Sequence, residues 1–124
     1  MAIVDDEESV RRALDRLMRS AGLDVETFPS GAEFLQSLES HTPDCVVLDL
    51  HMPRVNGFEV QARLRESGSR LPVVVITGHD TDETRERVMK AGVAAYLLKP
   101  VDEQVLLDTI SAAVGDGPGD RDSS

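Results

Sequence analysis

Three carboxylates of this sequence come directly after short apolar runs. Asp49 follows Cys45–Leu48, and the adjacent Asp5 and Asp6 follow Ala2–Val4. Burial disfavours a charged carboxylate, and three carboxylates in one cleft raise one another's pKa unless a positive charge intervenes. Oxygen ligands with an open side suit Mg²⁺, which takes few protein carboxylates and favours phosphate oxygens. The three acids therefore indicate a magnesium site.

Thr77 and Lys99 add two further groups at the ends of later apolar runs, Val73–Ile76 and Ala94–Leu98. The lysine can pair with a carboxylate or with an incoming anion, and the threonine hydroxyl can donate a hydrogen bond. With Asp49 as nucleophile, this set of groups predicts phosphoryl transfer to a carboxylate. The cost of burying Asp49 would then be offset by the metal and the lysine.

These residues need a scaffold, and the sequence alternates short apolar runs with longer amphipathic ones. The predicted strands are Ala2–Val4, Asp24–Phe28, Cys45–Leu48, Val73–Ile76 and Ala94–Leu98. Five helices follow them in alternation. Continuous apolar strands joined by helices imply a parallel sheet covered on both faces, with ligand chemistry outside the carboxyl ends of its strands.

Helix boundaries are marked by caps and stops. Gly22 ends the first helix, Ser30 and Glu33 have the spacing of a capping box for the second, and Asp102 is the predicted cap of the last. The third helix is poorly patterned. Its apolar residues predict only a ragged face, made by Phe58, Ala62 and Leu64.

Composition limits the class of protein. The 124 residues suffice for one domain, predicted over 1–114, and the apolar-free segment 115–124 predicts a flexible tail or linker stub. A single cysteine favours a reducing, cytoplasmic setting, and no segment predicts a membrane span or signal peptide. The net charge of −10 argues against direct nucleic acid contact by this domain.

Four segments together carry a family resemblance: "VDDEE", "LDLHMPRVNG", "VVVITG" and "YLLKP". In this order and spacing they resemble the receiver domain of bacterial two-component response regulators. The similarity covers residue 2 to about residue 114 and is greatest to receivers that precede a helix-turn-helix transcription output. It implies an α/β, flavodoxin-like, doubly wound five-stranded parallel sheet in the order 2-1-3-4-5 with five helices.

The resemblance implies a role for each residue of the acid cluster. Asp49 accepts the phosphoryl group from a histidine kinase. Asp6, Asp49 and the backbone carbonyl of His51 bind Mg²⁺, for which Mn²⁺ or Ca²⁺ could substitute. Asp5 acts on the metal directly or through a bound water.

The resemblance also implies how phosphorylation is sensed. Thr77 contacts the phosphoryl group, Lys99 pairs with it, and the Lys99–Pro100 peptide is cis. Tyr96 turns inward when Thr77 moves, which changes the surface formed by the fourth helix, fifth strand and fifth helix. His51 and His79 flank the mouth of the site, where their side chains either tune the loss of the phosphoryl group to water or have no role.

The expected function is a phosphorylation-controlled signalling switch without turnover of an external substrate. Its partners would be a histidine kinase or phosphotransfer protein and an output domain or partner protein, with transcription as the expected output; phosphorylation could also produce a homodimer. The alternatives are a stand-alone receiver or phosphorelay intermediate, a module that only binds, and an aspartyl-phosphate hydrolase. The hydrolase would need a second acid two residues after Asp49, where the sequence has His51, so the general acid/base is missing unless His51 serves.

Overall fold

The computed structural model of the chain describes residues 1–52 and 55–115. Strands and helices alternate along these residues. The strands are β1 (Ala2–Val4), β2 (Glu26–Phe28), β3 (Val46–Asp49), β4 (Val73–Thr77) and β5 (Ala95–Leu98). The helices are α1 (Glu8–Ser20), α2 (Gly31–Ser37), α3 (Gly57–Glu66), α4 (Asp82–Lys90) and α5 (Glu103–Gly115).

The five strands form one parallel sheet in the order β2-β1-β3-β4-β5. This confirms the α/β fold and the strand order expected from the sequence. The register pairs Val4 with Leu48, and Thr77 with Leu98. The carboxyl ends of β1, β3, β4 and β5 therefore meet at one edge of the sheet.

Helices cover both faces of the sheet, and alternate strand residues face alternate layers. On one face, Val46 and Leu48 belong to a buried cluster with Phe34 of α2 and Val60 of α3. On the other face, Val47 belongs to a second cluster, which is completed by Leu14, Met18, Leu106 and Ile110 of α1 and α5. Both faces of β3 are thus buried, which explains why its residues 46–48 are continuously apolar rather than alternating.

Side-chain caps start four of the helices, α2 to α5. The Ser30 hydroxyl accepts a hydrogen bond from the Glu33 amide at 3.2 Å, and the Asp102 carboxylate accepts one from the Val105 amide at 3.0 Å. Both caps were predicted. The cap of α4 is Thr81, whose hydroxyl accepts from the backbone amide three residues later. Each such cap satisfies an amide that the helix itself leaves without a partner.

The prediction of a ragged apolar face for α3 was wrong in part. Asn56 and Glu59 form a complete capping box, with contacts of 3.0 and 3.3 Å between side chains and backbone amides. Ala62 is exposed, and the buried face is made by Val60, Gln61 and Leu64. The pattern was hidden because a buried glutamine occupies an otherwise apolar face.

Gly57 places the start of α3 directly against the end of β3. A Cβ atom at this position would lie 2.7 Å from the Leu50 Cα and 2.8 Å from the Asp49 carbonyl oxygen. Its amide donates a hydrogen bond to the Leu50 carbonyl at 3.0 Å. Only glycine permits so close an approach, which fixes the backbone that follows Asp49.

The predicted tail falls almost wholly outside the described residues. Helix α5 continues to Gly115, and 116–124 are not described. The flexible character of the tail stays a prediction. Within residues 1–52 and 55–115, no helix has the length and apolar character needed to cross a membrane.

Candidate functional site

The predicted acids come together at the carboxyl edge of the sheet. Asp5, Asp6 and Asp49 offer carboxylate oxygens that lie within 4.8 Å of one another. Asp5 is fully buried and Asp49 is 3% exposed, whereas Asp6 is exposed. An all-oxygen set with one exposed member has the composition that Mg²⁺ prefers, so these residues could hold this ion.

Lys99 is the cation of this cluster. From the end of β5, its Nζ lies 3.0 Å from Asp5 Oδ2, 3.6 Å from Asp49 Oδ1 and 3.6 Å from Glu7 Oε1. Burial works to lower the pKa of Lys99, but the hydrogen bond to Asp5 and the charges of Asp49, Asp5 and Glu7 outweigh it and raise that pKa. The lysine therefore stays charged at neutral pH and is available to an anion at this edge.

Nearby positive charge only partly offsets the burial of the Asp49 carboxylate and the negative charge of Asp5. Burial, followed by the negative charge of Asp5, raises its pKa from 3.8 to about 6, although Lys99 and the His51 amide act in the opposite direction. That amide donates to Asp49 Oδ1 across 3.4 Å. A cation bound at the cluster would favour the ionised carboxylate. The electrostatics of the site therefore fit a bound metal ion.

Asp5 is held in place by contacts that the sequence did not reveal. The Arg11 guanidinium donates to the Asp5 backbone carbonyl at 2.8 Å, and the Glu7 amide donates to Asp5 Oδ1 at 2.9 Å. Arg11 lies on the first turn of α1, so the helix that follows β1 anchors the acidic loop. The sequence offered no signal for this contact, because a surface arginine on a helix is ordinary.

Thr77 ends β4 and is fully buried. Its Oγ1 accepts a hydrogen bond from the His79 amide at 3.0 Å, which ties it to the loop after the strand. The Lys99 amide donates to the Thr77 carbonyl at 2.8 Å, so β5 is fastened to β4 where both strands end. The Lys99–Pro100 peptide bond is cis.

The structure brings the imidazoles of His51 and His79 into contact. Their ring centroids are 5.0 Å apart and their planes are inclined by 82°. Both residues are exposed. Each lies two residues beyond a strand end, at Asp49 and Thr77, and the strands β3 and β4 are neighbours.

Tyr96 lies in β5 and is bound to the rim of the site rather than to the acid cluster. Its hydroxyl donates to Asp80 Oδ1 at 3.0 Å, and Arg85 forms an ion pair with the same carboxylate. The Arg85 guanidinium carbon also lies 5.7 Å from the Tyr96 ring centroid. Burial, the hydrogen bond that the Tyr96 hydroxyl donates to Asp80 and the negative charge of Asp80 raise the pKa of Tyr96. Sequence reasoning missed both Asp80 and Arg85.

Comparison with known proteins assigns this chain to one family. The response regulator receiver domain matches residues 1–111. TodT, a response regulator protein of Pseudomonas putida, is 37% identical over 122 residues, which cover 98% of this chain and 54% of TodT. Nodulation protein W of Bradyrhizobium diazoefficiens is 40% identical over 111 residues, or 90% of this chain and 49% of that protein. The chain thus spans about half the length of these relatives.

Solved structures agree with the sequence matches. The response regulator receiver protein from Burkholderia phymatum is 45% identical, with a TM-score of 0.82 and 94% of both chains covered. FixJ-N is 32% identical, with a TM-score of 0.86 over 94% of this chain and 93% of its own. The resemblance seen in the sequence is confirmed, and the chain belongs to the response regulator receiver domain family.

Proposed function

We propose that this domain is a phosphorylation-controlled signalling switch in which Asp49 is the phosphoacceptor. One observation carries the proposal. Asp49 is a buried carboxylate within an acid group whose oxygens lie within 4.8 Å, and its Oδ1 is 3.6 Å from the Lys99 ammonium. Such an arrangement suits transfer of an anionic group onto a carboxylate, since the charge of the incoming group meets a fixed cation.

The proposed reaction transfers a phosphoryl group from a histidine nitrogen to an oxygen of Asp49. An Asp49 oxygen attacks the phosphorus of a phosphohistidine on a histidine kinase or phosphotransfer protein. The new O–P bond forms as the P–N bond breaks, and the electron pair leaves on the imidazole nitrogen, which takes up a proton. Lys99 pairs with the transferred phosphoryl oxygens, and the Thr77 hydroxyl donates to one of them.

The groups that would hold Mg²⁺ are the carboxylates of Asp5, Asp6 and Asp49 and the backbone carbonyl of His51. All are oxygen donors, which fits Mg²⁺ and would also accept Mn²⁺ or Ca²⁺. Bound Mg²⁺ would neutralise charge on the phosphoryl oxygens. Independently of the metal, Asp5 positions the ammonium of Lys99 through their 3.0 Å contact.

The signal would leave the site through Thr77 and Tyr96. When Thr77 turns to the phosphoryl group, it gives up its bond from the His79 amide and vacates space beside β5. Tyr96 then leaves Asp80 and moves inward. This changes the surface of α4, β5 and α5, where Met89, Leu98 and Val105 are exposed for a partner or a second copy.

The output would be transcription, through a part of the protein outside this chain. The relatives are about twice as long as this chain, and TdiR of Thauera aromatica, 40% identical over 112 residues, is named a transcriptional regulatory protein. The net charge of −10 fits a domain that acts through protein partners rather than by touching nucleic acid. A histidine kinase is the proposed upstream partner.

The test is intact mass after incubation with a small acyl phosphate, with and without Mg²⁺. We expect one added phosphoryl group that requires both Mg²⁺ and Asp49, so it is absent in Asp49→Asn and present in Asp44→Asn, an exposed aspartate control. An adduct that survives in Asp49→Asn contradicts the proposal. Mg²⁺ binding without any adduct would indicate a module that only binds, and steady turnover of phosphate esters would indicate the hydrolase.

A further inference from the structure

We propose that His51 and His79 form a second cation site, which takes an imidazole-preferring transition metal ion such as Zn²⁺. The two rings already lie together, with centroids 5.0 Å apart and planes at 82°. Imidazole nitrogen selects Zn²⁺, Cu²⁺ or Ni²⁺, whereas the carboxylates of Asp5, Asp6 and Asp49 select a harder ion. The edge of the sheet would thus hold two sites of different ligand chemistry.

The separation of the rings fits a shared metal ion. Two imidazoles on one tetrahedral zinc have centroids roughly 5 Å apart, since each Zn–N bond is about 2.0–2.1 Å long and the nitrogen lies about 1 Å from its ring centre. The observed 5.0 Å matches this span.

The pair is positioned by the backbone. The His51 amide is bound to Asp49 Oδ1 at 3.4 Å, and the His79 amide to Thr77 Oγ1 at 3.0 Å. These contacts use the main chain, and in the part of the chain that the structure describes neither imidazole has a hydrogen-bond partner. Because β3 and β4 are adjacent parallel strands whose ends are offset by one residue, with Asp49 paired to Ile76, residues two positions past their ends lie close together. Both rings keep their nitrogens for a ligand.

The site supplies two protein ligands. Over residues 1–52 and 55–115, the aspartate cluster is the only place where three or more potential ligand residues lie within 4.8 Å of one another. Neither histidine belongs to that cluster. Water or an added anion would complete the coordination shell of the zinc. An open site of this kind binds less tightly than a closed structural zinc site with four protein ligands.

The experiment is isothermal titration of the whole chain with ZnCl₂, with excess Mg²⁺ present to occupy the aspartates. The variants are His51→Gln, His79→Gln and, as matched control, His41→Gln, which changes the remaining exposed histidine. We expect one zinc site that His41→Gln leaves unchanged. Each of the other two substitutions should weaken binding by about tenfold or more, because one of two preorganised ligands is lost.

Histidine ring resonances supply a second readout that separates the two clusters. Zinc should shift the ring signals of His51 and His79 together and leave those of His41 in place. The proposal is overturned if wild-type chain takes up no zinc, or if both histidine variants bind as wild type does. Loss of zinc binding in Asp49→Asn, with both histidine variants unaffected, would assign the ion to the aspartates and likewise overturn it.

Discussion

The site has a buried half and an exposed half made of the same kinds of group. In the buried half, Lys99 is bound by Asp5 and Asp49, whose side chains are at most 4% exposed. In the exposed half, Arg85 is paired with Asp80, and their side chains are 50% and 27% exposed. Each half thus combines acid with base, but only one is shielded from water.

Burial, and not only composition, sets the energy of a charged cluster. Water and salt screen an exposed ion pair, so that it contributes about 0–1 kcal/mol, whereas removing one partner of a buried pair costs about 3–5 kcal/mol. The buried half can therefore hold an excess of negative charge that a bound cation would relieve. The exposed half can open at low cost, as the proposed switch requires.

The largest expected effect is the loss of stability when Lys99 is replaced, compared with replacement of the exposed Lys90. Lys99→Met should lower the free energy of unfolding by about 3 kcal/mol or more, since it leaves Asp5 and Asp49 buried without a cation. The raised pKa of Lys99 means that its stabilising contribution is complete at neutral pH and is lost only as pH rises above 10.5 and through the folded-state pKa. Urea unfolding at pH 7 in the absence of divalent metal measures this.

Lys90→Met is the matched control, because Lys90 pairs with Glu86 where both side chains are at least 69% exposed. We expect it to change the free energy of unfolding by less than about 0.5 kcal/mol. Equal losses for the two lysines would remove the distinction between the buried and exposed halves.

The second expected effect is a gain in the free energy of unfolding when Asp49 is replaced. Asp49 binds its proton more tightly in the folded state, with a pKa of about 6 against 3.8, so its contribution to stability declines as pH rises from about 4 to about 6. About two pKa units at about 1.4 kcal/mol each set a ceiling of about 3 kcal/mol on the cost of ionised Asp49. Metal-free Asp49→Asn should therefore be more stable than wild type at pH 7, by up to that amount.

Urea unfolding of both proteins from pH 4 to pH 8 tests this, and the advantage of Asp49→Asn should shrink to nothing near pH 4. Mg²⁺ should stabilise wild type more than Asp49→Asn. The exposed Asp44→Asn should stay within about 0.5 kcal/mol of wild type throughout. If Asp49→Asn were no more stable than wild type at pH 7, the ionised Asp49 carboxylate would not destabilise the folded state.

The smallest effect belongs to the exposed half. Asp80→Asn should lower the phenol pKa of Tyr96, since the charge of Asp80 and the hydrogen bond to it raise that pKa. Tyr96 is the single tyrosine, and the chain has no tryptophan, so phenolate absorbance during an alkaline titration reports this residue alone. Stability should change by less than about 1 kcal/mol. An unchanged titration curve, as expected for Asp44→Asn, would show that Asp80 does not hold Tyr96 in solution.

Much of the fold and the acid cluster could be predicted from the sequence, for a physical reason. Parallel strands buried on both faces must be continuously apolar, so the polar residue after each run marks a strand end. Asp5, Asp49, Thr77 and Lys99 were found in this way. The face of α3 was not, because Gln61 interrupts its apolar pattern although it is buried.

Local patterns in the amino-acid sequence specify the succession of strands and helices and the residue types at the carboxyl edge. Which side chains touch follows from packing: Arg11 contacts the Asp5 carbonyl, His51 contacts His79, and Tyr96 contacts Asp80. Such contacts depend on strand register and side-chain rotamers, which no local pattern encodes. Hydrophobic periodicity specifies where a strand ends, whereas only packing specifies what its end residue meets.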